Sequence, residues 1–164
     1  AKARELDSDI LITMDADGQH RIEDLAKILK PVQSDLVDIC IGSRFLSKDV
    51  ENVPSYRQVG IKVLTKLTNV SLKESITDSQ SGFRAYGKKS IFGITPTASG
   101  MGISNEILLK AGNLNLRIGE VPITVLYQGD TSTHNPISHG TSVFVSTLKF
   151  IAIEHPLIFF LIPG

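Results

Sequence analysis

The sequence predicts an α/β domain built on a mostly parallel sheet flanked by helices. Three observations carry this. A short apolar run, Asp9 to Met14, is followed by a segment of helical spacing, Arg21 to Lys30, and then by a second apolar run, Leu36 to Ile41. That order is the strand, helix, strand crossover from which parallel sheets are wound, with the right-handed connection as its expected sense. The first run ends on Asp15-Ala16-Asp17, so two carboxylates stand where a strand meets solvent, and ligands of such sheets sit beyond the strands' carboxyl ends. The composition is that of a globular domain: 164 residues, 41% apolar and 21% charged, enough chain for one real core.

Each element has its own signal. Asp9 to Met14 is short and closed by polar residues, which suits a strand buried on both faces. In Arg21 to Lys30 the apolar positions Ile22, Leu25, Ile28 and Leu29 recur with the helical period, and Pro31 closes the segment. The run Leu36 to Ile41 is the second strand and contains the lone cysteine, Cys40. It reads as a buried free thiol, which excludes an internal disulfide and suits a reducing compartment. A second helix is expected from Tyr56 to Leu72, just after Pro54, with Val59, Val63, Leu64, Leu67 and Val70 as its apolar stripe. Thr77 to Gly87 opens as a polar, glycine-punctuated loop and continues as a short strand, Phe83 to Tyr86. Ser104 to Asn113 is a capped helix ending near Gly112. Glu120 to Tyr127 is a strand whose Pro122 argues for a sheet edge. Gln128 to Gly140 is a loop rich in Ser, Thr, Asn, Pro and Gly, and Val143 to Ile153 a closing helix.

Charge excludes some functions. Seventeen basic residues balance seventeen acidic ones, so no bulk field favours nucleic acid or a membrane surface, and any phosphate must be met locally. The opening Ala1 to Leu6 reads as the tail of a helix, without a signal-peptide pattern. The apolar end, Pro156 to Gly164, is far shorter than the roughly 18 residues a bilayer requires. Its expected role is the start of a membrane-associated segment, with a final core helix as the other reading. The division expected is 1–140 as the main domain and 141–164 as a juxtamembrane piece.

Asp15, Asp17 and Gln19 alternate along the exit from the first strand, so an extended chain turns them toward one point. Two carboxylates and a side-chain carbonyl are hard oxygen donors suited to Mg²⁺ or Mn²⁺. A solvated strand-end loop is the plain alternative. Gly42-Ser43-Arg44 follows the second strand and brings a guanidinium to the same edge, where bidentate phosphate binding is within its reach; a surface arginine is the other reading. Arg57 begins its helix and can reach a phosphate or simply face water.

Together, Asp15-Ala-Asp-Gly-Gln-His20, Gly42-Ser-Arg-Phe45, Thr77-Asp-Ser-Gln-Ser-Gly-Phe-Arg84, Ser104-Asn-Glu-Ile-Leu-Leu109 and Glu120-Val-Pro-Ile123 resemble the family 2 glycosyltransferases of GT-A, Rossmann-like fold, in the branch acting on dolichyl and polyprenyl phosphates. The resemblance implies inverting transfer of a mannose- or glucose-type sugar from a GDP- or UDP-sugar to a lipid phosphate or related acceptor. It implies Asp15 against the donor, Asp17 and Gln19 with Asp15 around the cation, and Arg44 and Arg57 at phosphates. Asp78, Ser81, Arg84, Ser132 and His134 would border the acceptor, with Glu106 at the position of a general base. A phosphate monoester, with its second pKa near ~6, is already an anionic nucleophile and needs no base; a sugar hydroxyl would need one. Glu106 also reads as a residue favoured by the helix macrodipole. The implied setting is the cytoplasmic face of a membrane, the full-length protein anchored through its C-terminal end and the piece itself soluble.

Two departures from the family pattern stand out. The base-holding segment that opens such enzymes has no counterpart, so the nucleotide-binding portion is expected to be missing and this chain inactive alone. His134 stands where relatives carry Lys or Arg, and a neutral imidazole binds phosphate poorly. Other readings of Asp15-Ala-Asp-Gly18 are a haloacid-dehalogenase-like phosphatase with Asp15 as nucleophile and a non-catalytic calcium-binding or scaffold module.

Overall fold

The computed structural model describes residues 2–46, 55–97 and 102–126, together with residues 145 and 152. In chain order the elements are α1 (Lys2–Glu5), β1 (Ile10–Thr13), a 3₁₀ turn (Ile22–Asp24), α2 (Leu25–Gln33), β2 (Ile39–Ser43), α3 (Ser55–Asn69), β3 (Arg84–Gly87), α4 (Lys88–Gly93), α5 (Ile103–Asn113) and β4 (Ile118–Pro122). The strands form one sheet in the order β1-β3-β2-β4. Its pairings run antiparallel from β1 to β3, antiparallel from β3 to β2 and parallel from β2 to β4. Three strands therefore share one direction, as the alternation of strands and helices predicts, and β3 is threaded between two of them in reverse. The expected crossover between β1 and β2 leaves room for that strand, so the sheet is mixed in its hydrogen bonding.

β2 lies at the centre and every one of its residues is buried. Successive side chains of a strand face opposite sides, and two cores result. Ile39 and Ile41 join Tyr86, Ile91, Leu108, Ala111 and Ile118 under α4 and α5. Cys40 joins Ile28, Val32, Phe83, Ala85 and Ile123 under α2. Each fully buried aliphatic side chain of this kind contributes roughly 1.5–3 kcal/mol relative to exposure. The result is a sheet between two helical layers.

Four local expectations change. β1 is not buried on both faces: it is an edge strand among the described residues, and Leu11 and Thr13 border an apolar cleft of about 230 Å³. Pro31 does not close its helix but sits inside α2, since its missing N–H interrupts one hydrogen bond without stopping the last turn. The buried side of α3 is Ile61, Leu64, Thr65 and Thr68, whereas Val59, Val63 and Val70 are exposed. Two threonines take core positions because their hydroxyls bond inward, Thr65 to Ser79 and Thr68 to the Leu64 carbonyl. The last strand among the described residues is β4, shifted toward the N-terminus, so Pro122 ends it at the edge of the described sheet opposite Ser43. Val145 and Ala152 are helical; the other residues of the helix expected from Val143 to Ile153, the loop expected from Gln128 to Gly140, and Tyr127 lie outside the described residues.

Candidate active site

The acidic arm leaves β1 and turns at once. Asp15, Asp17 and Gly18 are exposed, Gly18 has φ +76°, and the Asp17 Oδ1 accepts the Gln19 N–H at 3.0 Å. This is an Asx turn, with glycine at the left-handed position that other residues occupy at a cost. The extended alternation expected of Asp15, Asp17 and Gln19 is thus replaced by a bend. The arm's far end is pinned: Leu126 N–H donates to the Gln19 carbonyl at 2.9 Å, and His20 bridges to Val125. Beneath, the Asp24 carboxylate accepts the Thr124 N–H at 3.0 Å.

Behind the arm lies a polar floor, residues 77–82, fixed from several directions. Asp78 is fully buried and receives Arg44 through Nε and Nη2, each at 2.7 Å, and through the Arg44 backbone N–H at 3.2 Å. Glu120 of β4 accepts the Thr77 N–H, the Thr77 hydroxyl and the Asp78 N–H at 2.7, 2.9 and 2.9 Å. Burial still pushes the Glu120 carboxyl up, against those donors. Arg84 is buried too, and donates to the carbonyls of Ser79, Ser81 and Ser104 at 2.6, 2.8 and 3.0 Å. It bolts the floor to the start of α5, where the Gln80 amide also meets Asn105. Ser81 Oγ accepts the Phe83 N–H at 3.3 Å.

Arm and floor meet at Gly82. A Cβ there would stand 2.6 and 2.8 Å from the two carboxylate oxygens of Asp15, so the carboxylate occupies the space that only glycine leaves. The Thr13 hydroxyl fixes the same residue by donating to the Gly82 carbonyl at 2.8 Å. On the other side, His20 packs its ring on Phe83 at 5.0 Å between centroids, and its Nε2 is 3.8 Å from Asp15 Oδ2. Its side chain is 8% exposed, and Nδ1 is buried without a hydrogen-bond partner.

The structure therefore brings Asp15, Asp17, Gln19, Asp78 and Ser81 into one connected region and changes the part played by others. Arg44 is engaged with Asp78 rather than presented as an isolated phosphate clamp. Arg84 lies inside, where its guanidinium holds the floor through three carbonyls. Glu106 is 3% exposed and accepts the Thr97 N–H and hydroxyl, at 2.8 and 2.6 Å, and Lys110 Nζ at 2.6 Å. All three donors fall on Oε1, and the Thr97 N–H also lies 3.1 Å from Oε2. Arg57 lies in the first turn of α3 with its side chain outside the described residues, as are Ser132 and His134. His20 and Glu120 are the residues of this region to which the sequence assigns no role; only His20, adjoining the acidic triplet, carries a local signal.

No group of three His, Cys, Asp or Glu side chains gathers among the described residues. The donor set still fits a hard cation of the Mg²⁺ kind, which takes one or two carboxylates and completes its shell with water and substrate phosphate. It does not fit a calcium loop, which needs a denser cage of oxygens.

A mixed α/β sheet carrying an acidic arm on a buried polar floor defines a GT-A type domain. The chain belongs to glycosyl transferase family 2, whose model matches residues 2–92. It is 36% identical over 147 residues to a UDP-N-acetylglucosamine–dolichyl-phosphate N-acetylglucosaminyltransferase of Methanococcus voltae, covering 88% of this chain and 57% of that protein. It is 35% identical over 124 residues to a dolichol-phosphate mannosyltransferase of Pyrococcus furiosus, covering 74% of this chain and 34% of the relative. In fold it is similar to glucosyl-3-phosphoglycerate synthase of Mycobacterium tuberculosis, with a TM-score of 0.58 at 15% identity over 86% of this chain and 49% of that one. The chain spans 57% and 54% of the first two curated relatives it matches, about half their length. Family membership sets aside the phosphatase reading of the acidic arm.

Proposed function

We propose that this chain is the acidic-arm half of an inverting glycosyltransferase that moves a mannose- or glucose-type sugar from a GDP- or UDP-sugar to a polyprenyl or dolichyl phosphate. The single observation that carries the reading is the Asp15 carboxylate laid on Gly82 in a family 2 chain. An acceptor phosphate oxygen attacks the anomeric carbon, the bond from that carbon to the donor's diphosphate breaks, and the nucleoside diphosphate departs with its electron pair. Attack from the opposite side inverts the centre. The attacking oxygen carries no proton at neutral pH, which agrees with a Glu106 held by Thr97 and Lys110.

Asp15, Asp17 and Gln19 are the residues to hold Mg²⁺ or Mn²⁺, which when bound neutralises charge on the leaving diphosphate. Asp15 has its room beside Gly82, with His20 Nε2 3.8 Å from its Oδ2, while Asp78 with Arg44 keeps the floor from moving away. Residues 1–140 belong to the catalytic domain in this reading, and 141–164 lead to a membrane attachment at the cytoplasmic face. Among the described residues no helix is long and apolar enough to cross a membrane. By itself the chain is expected to be soluble and to turn over poorly, since it spans about half the length of the curated relatives it matches.

The test is calorimetric binding of GDP and UDP to the full-length protein, each with and without Mn²⁺. Cation-dependent binding of one nucleotide supports the reading and names the base; binding of neither, in a folded protein, overturns it.

A further inference from the structure

We propose that the solvent face of α3 is a docking surface for an anionic lipid bilayer. At 100° per residue, Val59, Lys62, Val63 and Lys66 fall on one side of this helix, opposite the buried Ile61, Leu64, Thr65 and Thr68. Val59 is 62% exposed, Val63 44% and Val70, just past the helix end, 50%. Lys62, Lys66 and Lys73 are exposed beside them. Within α3 itself, Ser55–Asn69, there is no acidic residue; Lys73 past its end is followed by the exposed Glu74, and no ion pair among the described residues involves Lys62 or Lys66.

A helix face meant only for water gains from Glu and Lys pairs one turn apart, and β-branched residues weaken it. This face has the opposite design: valines between lysines, with no carboxylate to compensate. Apolar side chains of that kind sit at the boundary of headgroups and acyl chains, while long lysine stems reach back to the lipid phosphates. The balanced charge of the whole chain hides the patch. Charge complementarity selects the partner, since each lysine near an anionic leaflet adds to the attraction. The surface continues toward the candidate site: Lys62 Nζ lies 5.9 Å from the ring centroid of Phe45, the neighbour of Arg44. The inference goes beyond sugar transfer and needs neither donor nor acceptor.

The test is flotation of the 164-residue chain with phosphatidylcholine vesicles, with and without phosphatidylglycerol and free of dolichyl phosphate. The expected result is binding to the anionic vesicles that weakens with added salt. Lys62→Gln/Lys66→Gln should lower it roughly thirtyfold, and Val59→Ser/Val63→Ser roughly tenfold, with melting temperatures unchanged because all four positions are exposed. Absence of binding to anionic vesicles overturns the proposal. So does binding that both double variants retain, which would assign it elsewhere, residues 156–164 included. If Val59→Ser/Val63→Ser instead turns a dimer into a monomer in light scattering and leaves flotation intact, the face belongs to a second copy and the proposal fails. Flotation that depends on α3 in a full-length protein with no transferase activity would overturn the proposed function and leave this inference standing.

Discussion

Gly82→Ala separates what the site needs from what the fold needs. The added methyl carbon would stand 2.6 Å from one oxygen of Asp15 and 2.8 Å from the other, whereas ordinary contact begins near ~3.5 Å. The carboxylate must therefore retreat by roughly 1 Å. The Asp15 side chain is 63% exposed, so it can swing into water, and the cost to stability should stay within about 0.5 kcal/mol, as for other surface changes. Gly82 is not among the residues with positive φ, so alanine meets no backbone penalty. Function should respond differently, since a misplacement of about 1 Å at reacting groups can cost on the order of 100-fold in rate. The assay is the initial rate of sugar transfer by the full-length protein across a Mn²⁺ titration, beside its thermal melting curve. A rate within about threefold of the parent at unchanged melting temperature would refute the arm-on-floor reasoning. A melting point lowered by more than roughly 5 °C would assign Gly82 to folding instead.

Other consequences are simpler to state. Asp78→Ala removes the buried carboxylate that accepts the Arg44 Nε, Nη2 and backbone N–H, and should cost about 3 kcal/mol in urea denaturation; a loss below about 1 kcal/mol would mean that the pair is solvated. Hydrogen bonds from the Arg117 side chain hold Asp38 below its ordinary 3.8, against the effect of burial. A depressed folded-state value stabilises above about pH 4 and is lost as pH falls through it. The stability gap between the parent and Arg117→Ala should therefore narrow from pH 5 to pH 2; a gap that ignores pH would contradict this. Burial pushes the Cys40 thiol up to about 12, so disulfide reagents at pH 8 should label it only when the protein unfolds, and rapid labelling of native protein would count against the buried β2.

Much of the fold was legible because its signals are local. The crossover from β1 through α2 to β2 follows from two apolar runs around a helical period, and the acidic arm from its position at a strand end. What escaped is set by contacts distant in sequence. The reversal of β3 depends on which gap in the sheet residues 84–87 enter, and nothing in Arg84-Ala-Tyr-Gly87 encodes that. The wrong stripe on α3 has a similar origin: valines look like core, but Thr65 and Thr68 are the buried pair because Ser79 and a helix carbonyl accept their hydroxyls. At the site, residue type points to Asp15 and Asp17 at the strand end, but not to the internal hydrogen bonds in which Arg84 and Glu106 are held. An arginine met as sequence suggests phosphate, yet three carbonyls hold Arg84 inside the protein.

The most direct test of the central claim is transfer of labelled sugar from GDP-mannose and from UDP-glucose to dolichyl phosphate by the full-length protein, with Mn²⁺ or with a chelator, beside Asp17→Ala. The account predicts a lipid-linked sugar product from one donor, absent with the chelator and reduced at least roughly 100-fold in the variant. Product formed equally well with chelator and by Asp17→Ala would contradict it.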